Sequence, residues 1–539
     1  MCIRDSYYTG YNSSTGAFAT ESDDNSVLVL ASANPVTYRR QLPDGSVNIY
    51  AQSDGNIAYP RHIFLSQVID SQGNTLTLNY DSQMRLISLT DATGRQTTFS
   101  YNQPAQPLLV TQITDPFGRS ATFTYDSAGR LSSITDILGL TSSFTYDANS
   151  LVNSLTTPYG TTNFAYTAPG SSGPPRFLQV TDPLGYHERE EWVEPAPGIP
   201  DTDPASTVPV GMPVTLENQY LEYRDSFHWD KNAYVLAGCT PTGGCDYTKA
   251  VDWHFAHVPN TSTKSTTIES IKNPLENRIW FNYPGQTAGY YAGTYNQPIA
   301  TGRVLDDGTT QINQTAYGTT GFFQPTQEID PIGRTTSFSY LNQIDLSAIY
   351  QQTASTVNTV LAQIGYNYTH RPVAYVDAAG QVTKQSYNAA GQLTSVTNPL
   401  NQTTTYHYNS TGDLTSIVNA NGVTAATYTY DAFDRVATYA DSQGWTAHYY
   451  YDAANRITKT TYPDGTADTY TYNNLDLASY QDRLGRIWTY TYDADRRLTA
   501  MTDSTAVSYT HLCPWLSRWP LCSWHPSVQP MPHAPYQIS

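Results

Sequence analysis

Along most of the chain, apolar and polar positions alternate over short runs that are bounded by turn residues. The stretch from Asp115 to Asp136 shows the whole pattern. Successive side chains of an extended strand point to opposite faces, so Ala121, Phe123 and Tyr125 fall on one face and Ser120, Thr122 and Thr124 on the other. Before them, Asp115-Pro116-Phe117-Gly118 suits a type I turn, with Pro presetting φ at the second position and Gly at the fourth. After them, Asp126-Ser127-Ala128-Gly129 supplies a second turn, and Leu131 to Thr135 returns as a short strand. The spacing predicts a hairpin with one wet face. No window long enough for an amphipathic helix carries a 3.6-residue apolar pattern.

This unit repeats. Tyr followed by Asp or Asn recurs at Tyr80-Asp81, Tyr101-Asn102, Tyr125-Asp126 and Tyr146-Asp147, then from Tyr387-Asn388 through Tyr408-Asn409, Tyr430-Asp431, Tyr451-Asp452, Tyr472-Asn473 and Tyr492-Asp493. The steps are 20 to 24 residues, and a second ladder, Gly73, Gly94, Gly118, Gly139 and Gly160, keeps the same period. The return strands carry apolar pairs three residues apart, as at Leu131/Ile134, Leu393/Val396 and Leu414/Ile417. In a regular strand that offset places the pair on opposite faces, so these strands are expected to be partly apolar on both sides. A hairpin of this size cannot bury its apolar side alone and must pair with neighbours. The fold class expected is all-β, built of repeated hairpins of about 21 residues.

The repeats divide the chain. Residues 7–72 read as strands leading into the repeats, 73–185 as a first block, 186–318 as an irregular β-rich segment or insertion, and 319–506 as a second block. Within the irregular segment, Glu194 to Pro213 is rich in Pro, Asp and Thr and reads as a surface loop. Strand-like pieces such as Thr266 to Ile271 favour degenerate strands over an insertion. Met1 to Ser6 and Ser508 to Leu512 read as translated adapter sequence, so residues 1–6 and 507–539 are expected to be a non-native start and tail, which would make the chain a fragment without its true termini.

Composition narrows the partners. The 539 residues include 44 Tyr, with 13% aromatic and only 14% charged residues, a profile opposite to that of disordered chains. A net charge of −18 with only six lysines argues against nucleic acid, because binding phosphate backbones requires clustered Lys and Arg. No run approaches the 18 or so apolar residues of a membrane span, so no transmembrane segment is expected, and Met1 to Gly10 lacks the apolar region of a signal peptide.

The pattern Gly-Arg followed by Tyr-Asp-x-x-Gly-Arg-Leu, fullest at Gly118-Arg119 through Leu131 and at Gly485-Arg486 through Leu498, resembles the YD repeat of Rhs proteins. That repeat is also found in toxin-enclosing subunits of Tc complexes and in teneurins. The resemblance covers roughly residues 35–185 and 320–505. It implies a spiral YD-repeat shell, a partial β-cocoon, with a secreted or cell-surface location in bacteria. The partner it implies is a cargo toxin domain missing from this chain, with an immunity or delivery protein beside it, and a surface glycan or protein stays open as a further partner. No Rhs core motif of the Arg-Tyr-Tyr-Asp-Pro type, no self-cleaving segment and no toxin domain is present in the sequence.

Candidate chemistry is sparse. Cys239, Cys245, His254 and His257 have the residue types of a zinc site, but the Cys-x5-Cys gap is loose and His254 and His257 would face opposite sides of a strand. A disulfide between Cys239 and Cys245 is the simpler expectation, conditional on an oxidising compartment. The run His187-Glu188-Arg189-Glu190-Glu191-Trp192 lacks the second His of a zincin and reads as a solvated charged strand edge. No Gly-x-Ser-x-Gly, phosphate-binding or Cys-x-x-Cys motif occurs, so no catalytic residue and no cofactor is assigned. The repeated Arg95, Arg119, Arg130, Arg334, Arg435, Arg456, Arg486 and Arg497 are expected to pair with repeat Asp across neighbouring turns or to lie over Tyr rings. The sequence thus favours a non-enzymatic shell or scaffold that encloses or presents a cargo. Its rivals are a carbohydrate-binding or cell-wall-binding aromatic repeat, with Trp445 and Trp488 as stacking residues, and a teneurin-like adhesive scaffold.

Overall fold

The structure, a computed structural model, describes residues 8–19, 21, 26–57, 61–167, 176–240, 244–318, 324–354, 357–503 and 508–509. The stretches expected to be non-native, 1–6 and 507–539, lie outside them except for 508–509. The regular secondary structure of the described residues is almost entirely strand, with tight turns between strands. In the repeat of Asp115 to Asp136, the strand Ser120–Tyr125 pairs antiparallel with Leu131–Thr135. The turns on either side are closed by the amide of Gly118 donating to the Asp115 carbonyl and that of Gly129 to the Asp126 carbonyl. Both glycines have positive φ, +82° and +81°, the left-handed conformation that a side chain makes costly.

The return strands depart from expectation. Tyr125 stands opposite Leu131 and Phe123 opposite Ile134, with a register shift between Leu131 and Ser133. One extra residue in the return strand is a β-bulge, and it turns an offset of three into a same-face offset. The bulge recurs: Tyr408 faces Leu414 while Tyr406 faces Ile417, Tyr451 faces Ile457 while Tyr449 faces Thr460, and Tyr492 faces Leu498 while Tyr490 faces Met501. The return strands are therefore not apolar on both sides. In most repeats Tyr, Leu and Ile gather on one face, Thr460 being an exception, and the other face is mainly Ser and Thr, with Tyr450 among them.

The chain forms two compact units, one of residues 1–86 with 143–383 and the other of residues 87–142 with 384–539. In the first unit, antiparallel pairing runs from Thr141–Tyr146 through Pro372–Asp377, including the irregular segment. The loops that break the period there leave the strands and carry a short helix, Lys231–Leu236, capped by Asp230. In the second unit, the same pairing runs from Val382–Tyr387 through Leu498–Asp503.

Fully buried large apolar side chains concentrate in the irregular segment, where Phe227, Trp229, Tyr234 and Tyr247 pack with Val193, Ala196, Ala237 and Ala250. In the second block, the buried apolar residues are small or isolated, at Ala348, Ala362, Leu414, Ala426 and Ala447. There the Tyr face is only half-buried, as expected of a sheet covered incompletely on that side.

Candidate functional site

The repeat is held at its turns by carboxylates. Asp126 accepts from the backbone N–H groups of Ala128 and Arg130, both at 2.9 Å, and from Arg130 Nε at 2.8 Å. The Arg130 N–H above all, joined by the Arg130 guanidinium and the Ala128 N–H and opposed by burial, holds this carboxyl below its ordinary range. The same pairing joins Asp81 to Arg85, Asp431 to Arg435, Asp452 to Arg456 and Asp493 to Arg497. Asp147 caps its turn through the Asn149 and Leu151 amides. These arginines therefore pair within their own turn, four residues on, and not across neighbouring turns. Arg95 is different and reaches Asp434.

Across repeats the arginines use rings and carbonyls instead. Arg435 lies 4.7 Å from the centre of the Tyr451 ring and Arg456 lies 4.2 Å from that of Tyr472. Each Tyr then donates to a carbonyl of the preceding repeat: Tyr451 to Val436 at 2.8 Å, Tyr472 to Ile457 at 2.9 Å, Tyr430 to Leu414 at 2.7 Å, Tyr125 to Val110 at 2.7 Å and Tyr80 to Leu65 at 2.8 Å. Burial pushes the Tyr430 and Tyr451 hydroxyls up to about 12. Tyr146 and Tyr492 take the corresponding strand position, opposite Val152 and Leu498.

Within each unit, turns far apart in sequence also meet. In the second unit, Phe117 and Phe433 lie 5.8 Å apart with the Arg119 guanidinium 5.5 Å and 5.8 Å from their ring centres. Arg119 also donates to Asn455 Oδ1 at 2.5 Å. In the first unit, Ser71 Oγ donates to the Thr369 carbonyl at 3.3 Å, and Arg371 to Gln72 Oε1 at 3.0 Å.

The irregular segment buries a second kind of arrangement. Arg224 donates to Glu269 Oε2 at 3.0 Å and contacts His254 Nε2 at 2.9 Å and His257 Nε2 at 3.1 Å. His254 Nδ1 lies 2.6 Å from Asp225, and Arg278 joins Asp252 to Asp203, each at 3.0 Å. Burial first, and then the charges of Arg224 and Arg278, push His254 well down, so it is neutral here. Burial pushes Glu269 up to about 8 against the pull of Arg224, and it raises Asp225, with the charge of Asp252 adding to the rise. The carboxylates and arginines come from strands and loops up to 75 residues apart in sequence, which is why sequence reading missed them. Their one local trace is alternation, Asp225, Phe227 and Trp229 or Asp252, His254 and Ala256, charged and apolar residues sharing one buried face.

The zinc quartet is not brought together. Cys239 and Cys245 are bonded to each other in a disulfide, and both imidazoles engage Arg224. Both rings reach Arg224 although alternation puts them on opposite faces, because its guanidinium sits at the strand between them, Nε donating to the Phe255 carbonyl. Among the described residues, no group of three or more His, Cys, Asp or Glu could hold a metal ion. The acidic run is not a solvated edge. Its strand, His187–Val193, pairs on both sides, and Arg189 and Glu191 are buried and bonded at 2.7 Å, with Arg189 4.1 Å from the Phe177 ring centre. The Tyr247 hydroxyl donates to the other Glu191 oxygen.

Among solved structures, the chain is similar to a chain of the Photorhabdus luminescens Tc holotoxin pore, at 11% identity and TM-score 0.48 over 88% of this chain and 29% of that one. It is also similar to TcdB2-TccC3-Cdc42, at 11% identity and TM-score 0.49 over 90% of this chain and 29% of that one. A third, TcdB2-TccC3, gives 12% identity and TM-score 0.48 over 90% and 30%. The chain thus spans less than a third of the length of these proteins. No curated protein matches. The RHS Repeat family model matches residues 108–139, 125–162, 366–403, 387–424, 408–444 and 430–467, which hold Tyr–Asp hairpins of both blocks. The chain thus carries RHS (YD) repeats in these two stretches.

Proposed function

We propose that the chain is a non-enzymatic wall, part of a secreted or surface shell that encloses or presents a cargo toxin domain carried outside the described residues. The observation that carries this reading is the repeated joint in which Tyr bonds the carbonyl of the previous hairpin and Arg covers its ring. Such a joint extends a sheet indefinitely by nearest-neighbour contacts and asks for no thick core, as repeat proteins allow. Its work is steric: a continuous hydrogen-bonded wall separates what lies on its two faces. Electron cryo-microscopy of the protein is expected to show a concave wall, and a compact solid body or an open rod would end the reading.

A second reading, glycan binding, draws on the rings of Tyr470, Tyr480 and Trp488, stacked at 5.1 and 5.3 Å. Rings stacked on one another have their faces engaged, which leaves less surface for a sugar. Glycan-array binding that disappears in Trp488→Ala would promote this alternative.

A further inference from the structure

The contacts inside the second unit define a seam with two different sides. One side consists of link turns, which join a return strand to the next repeat. The turns Asp91–Arg95 and Asp115–Arg119 are of this kind, and they supply Arg95, Phe117 and Arg119. The other side consists of Tyr–Asp turns, Asp431–Arg435 and Asp452–Arg456, which supply Phe433, Asp434, Asn455 and the Ala453 carbonyl. The first unit obeys the same rule, because the link turn at Asp70–Asn74 meets the Tyr-Asn turn at Asn367–Arg371.

Link turns of the second block repeat the chemistry of this seam at exposed positions. Asp482-Arg483-Leu484-Gly485-Arg486 matches Asp115-Pro116-Phe117-Gly118-Arg119 position by position, with Leu484 in the place of Phe117 and Arg486 in that of Arg119. Leu484 is 74% exposed and the Arg486 side chain 57% exposed. Leu400, third in the link turn Asn398–Gln402, is 76% exposed. The opposite kind of rim is exposed on the first block of the same unit. Ser127 and Ala128 of the turn Asp126–Arg130 stand where Ala453 and Ala454 stand in the turn that receives Arg119; the segment whose Gln106 and Leu109 side chains approach Gly129 of that turn also carries Leu108, which is 69% exposed.

We propose that these two rims bind one another between copies of the chain, the link turns around Leu400 and Leu484 seating on the Tyr–Asp turn rim around Leu108 and Ala128 of a second copy. The seam already formed inside the unit is the template: apolar tips meet, and an arginine from the link turn reaches a carbonyl or amide on the Tyr–Asp turn. Because the two rims differ, the contact is heterologous, and head-to-tail addition leaves a free rim at each end of the stack. This goes beyond the wall reading, since it assigns the rims of the sheet and not its faces.

Sedimentation velocity over a concentration series is expected to show oligomers for the wild-type chain. Leu400→Asp combined with Leu484→Asp should weaken association at least about tenfold, and so should Leu108→Asp, each with unchanged circular dichroism because the side chains are exposed. Each variant keeps one intact rim. A mixture of the double variant with Leu108→Asp should therefore give a one-to-one dimer that grows no further. Val210→Asp, at an 83% exposed position on a loop of the first unit, should leave association unchanged. A monomeric wild-type chain, equal loss in Val210→Asp, or a mixture that does not pair would each overturn the proposal.

Discussion

The Tyr451 hydroxyl donates to the Val436 carbonyl at 2.8 Å, while Arg435, the residue before Val436, covers the same ring from 4.7 Å. One tyrosine is thus held twice by the preceding hairpin, at its edge by a hydrogen bond and on its face by a cation. Removing the hydroxyl while keeping the ring isolates the first of these. Tyr451→Phe leaves the half-buried Val436 carbonyl without this donor and should cost about 0.5–1.5 kcal/mol in urea unfolding. Tyr450→Phe, half-exposed on the other face, should stay within about 0.5 kcal/mol.

Alkali should attack the same joint. The Tyr430 and Tyr451 hydroxyls are pushed up to about 12, mainly by burial, and an unfolded tyrosine titrates near 10. A raised folded value means stabilisation that is complete below about pH 10 and is lost as pH rises through about 12, since a phenolate has no proton to donate. Phenolate absorbance followed with pH should show a delayed fraction whose ionisation coincides with loss of β circular dichroism. A single transition near 10 with the sheet intact would contradict this.

Gly118 and Gly160 separate two reasons for a glycine. At Gly118, φ is +82° and a Cβ would meet nothing within 4 Å, so Gly118→Ala should cost only the left-handed conformation, about 1 kcal/mol. At Gly160, a Cβ would come within 2.7 Å of Pro183 Cβ, so Gly160→Ala should cost more. Conversely Met84, at φ +61° in the equivalent turn position, should gain up to about 1 kcal/mol as Met84→Gly. Chemical denaturation of the three variants ranks them.

The buried charges of the irregular segment predict a second pH response. Glu269, pushed up to about 8 by burial, contributes stability that is present below the unfolded range of about 4 and is lost as pH rises through 8. Hydrogen exchange in the strands Val251–His257 and Lys264–Lys272 should quicken, relative to the Tyr–Asp hairpins, as pH rises from about 4 to 8 and level off above that, and Glu269→Gln should flatten the rise. Arg224→Ala removes the donor shared by the Phe255 carbonyl, His254 and Glu269 and should destabilise the segment by about 1–3 kcal/mol.

The hairpins themselves were legible in the sequence, because alternation and Asp-x-x-Gly turns act over six or seven residues and need nothing distant. The period identified which residues are equivalent, so Tyr125, Tyr430 and Tyr451 could be assigned one strand position before any coordinates. What tertiary structure decided was which way the return strand faces. A bulge at Leu131/Ser133 or at the equivalent point of other repeats is set by pairing with the partner strand, and alternation alone reads Leu131 and Ile134 onto opposite sides. The same holds for the charged strand His187–Val193. Its composition suits a wet edge, but flanking strands on both sides and the aromatic cluster beyond them take Arg189 and Glu191 out of water. Burial of a charge depends on what the rest of the chain folds over it, and the partners of Arg224 and Arg278 arrive from strands and loops that no local pattern connects.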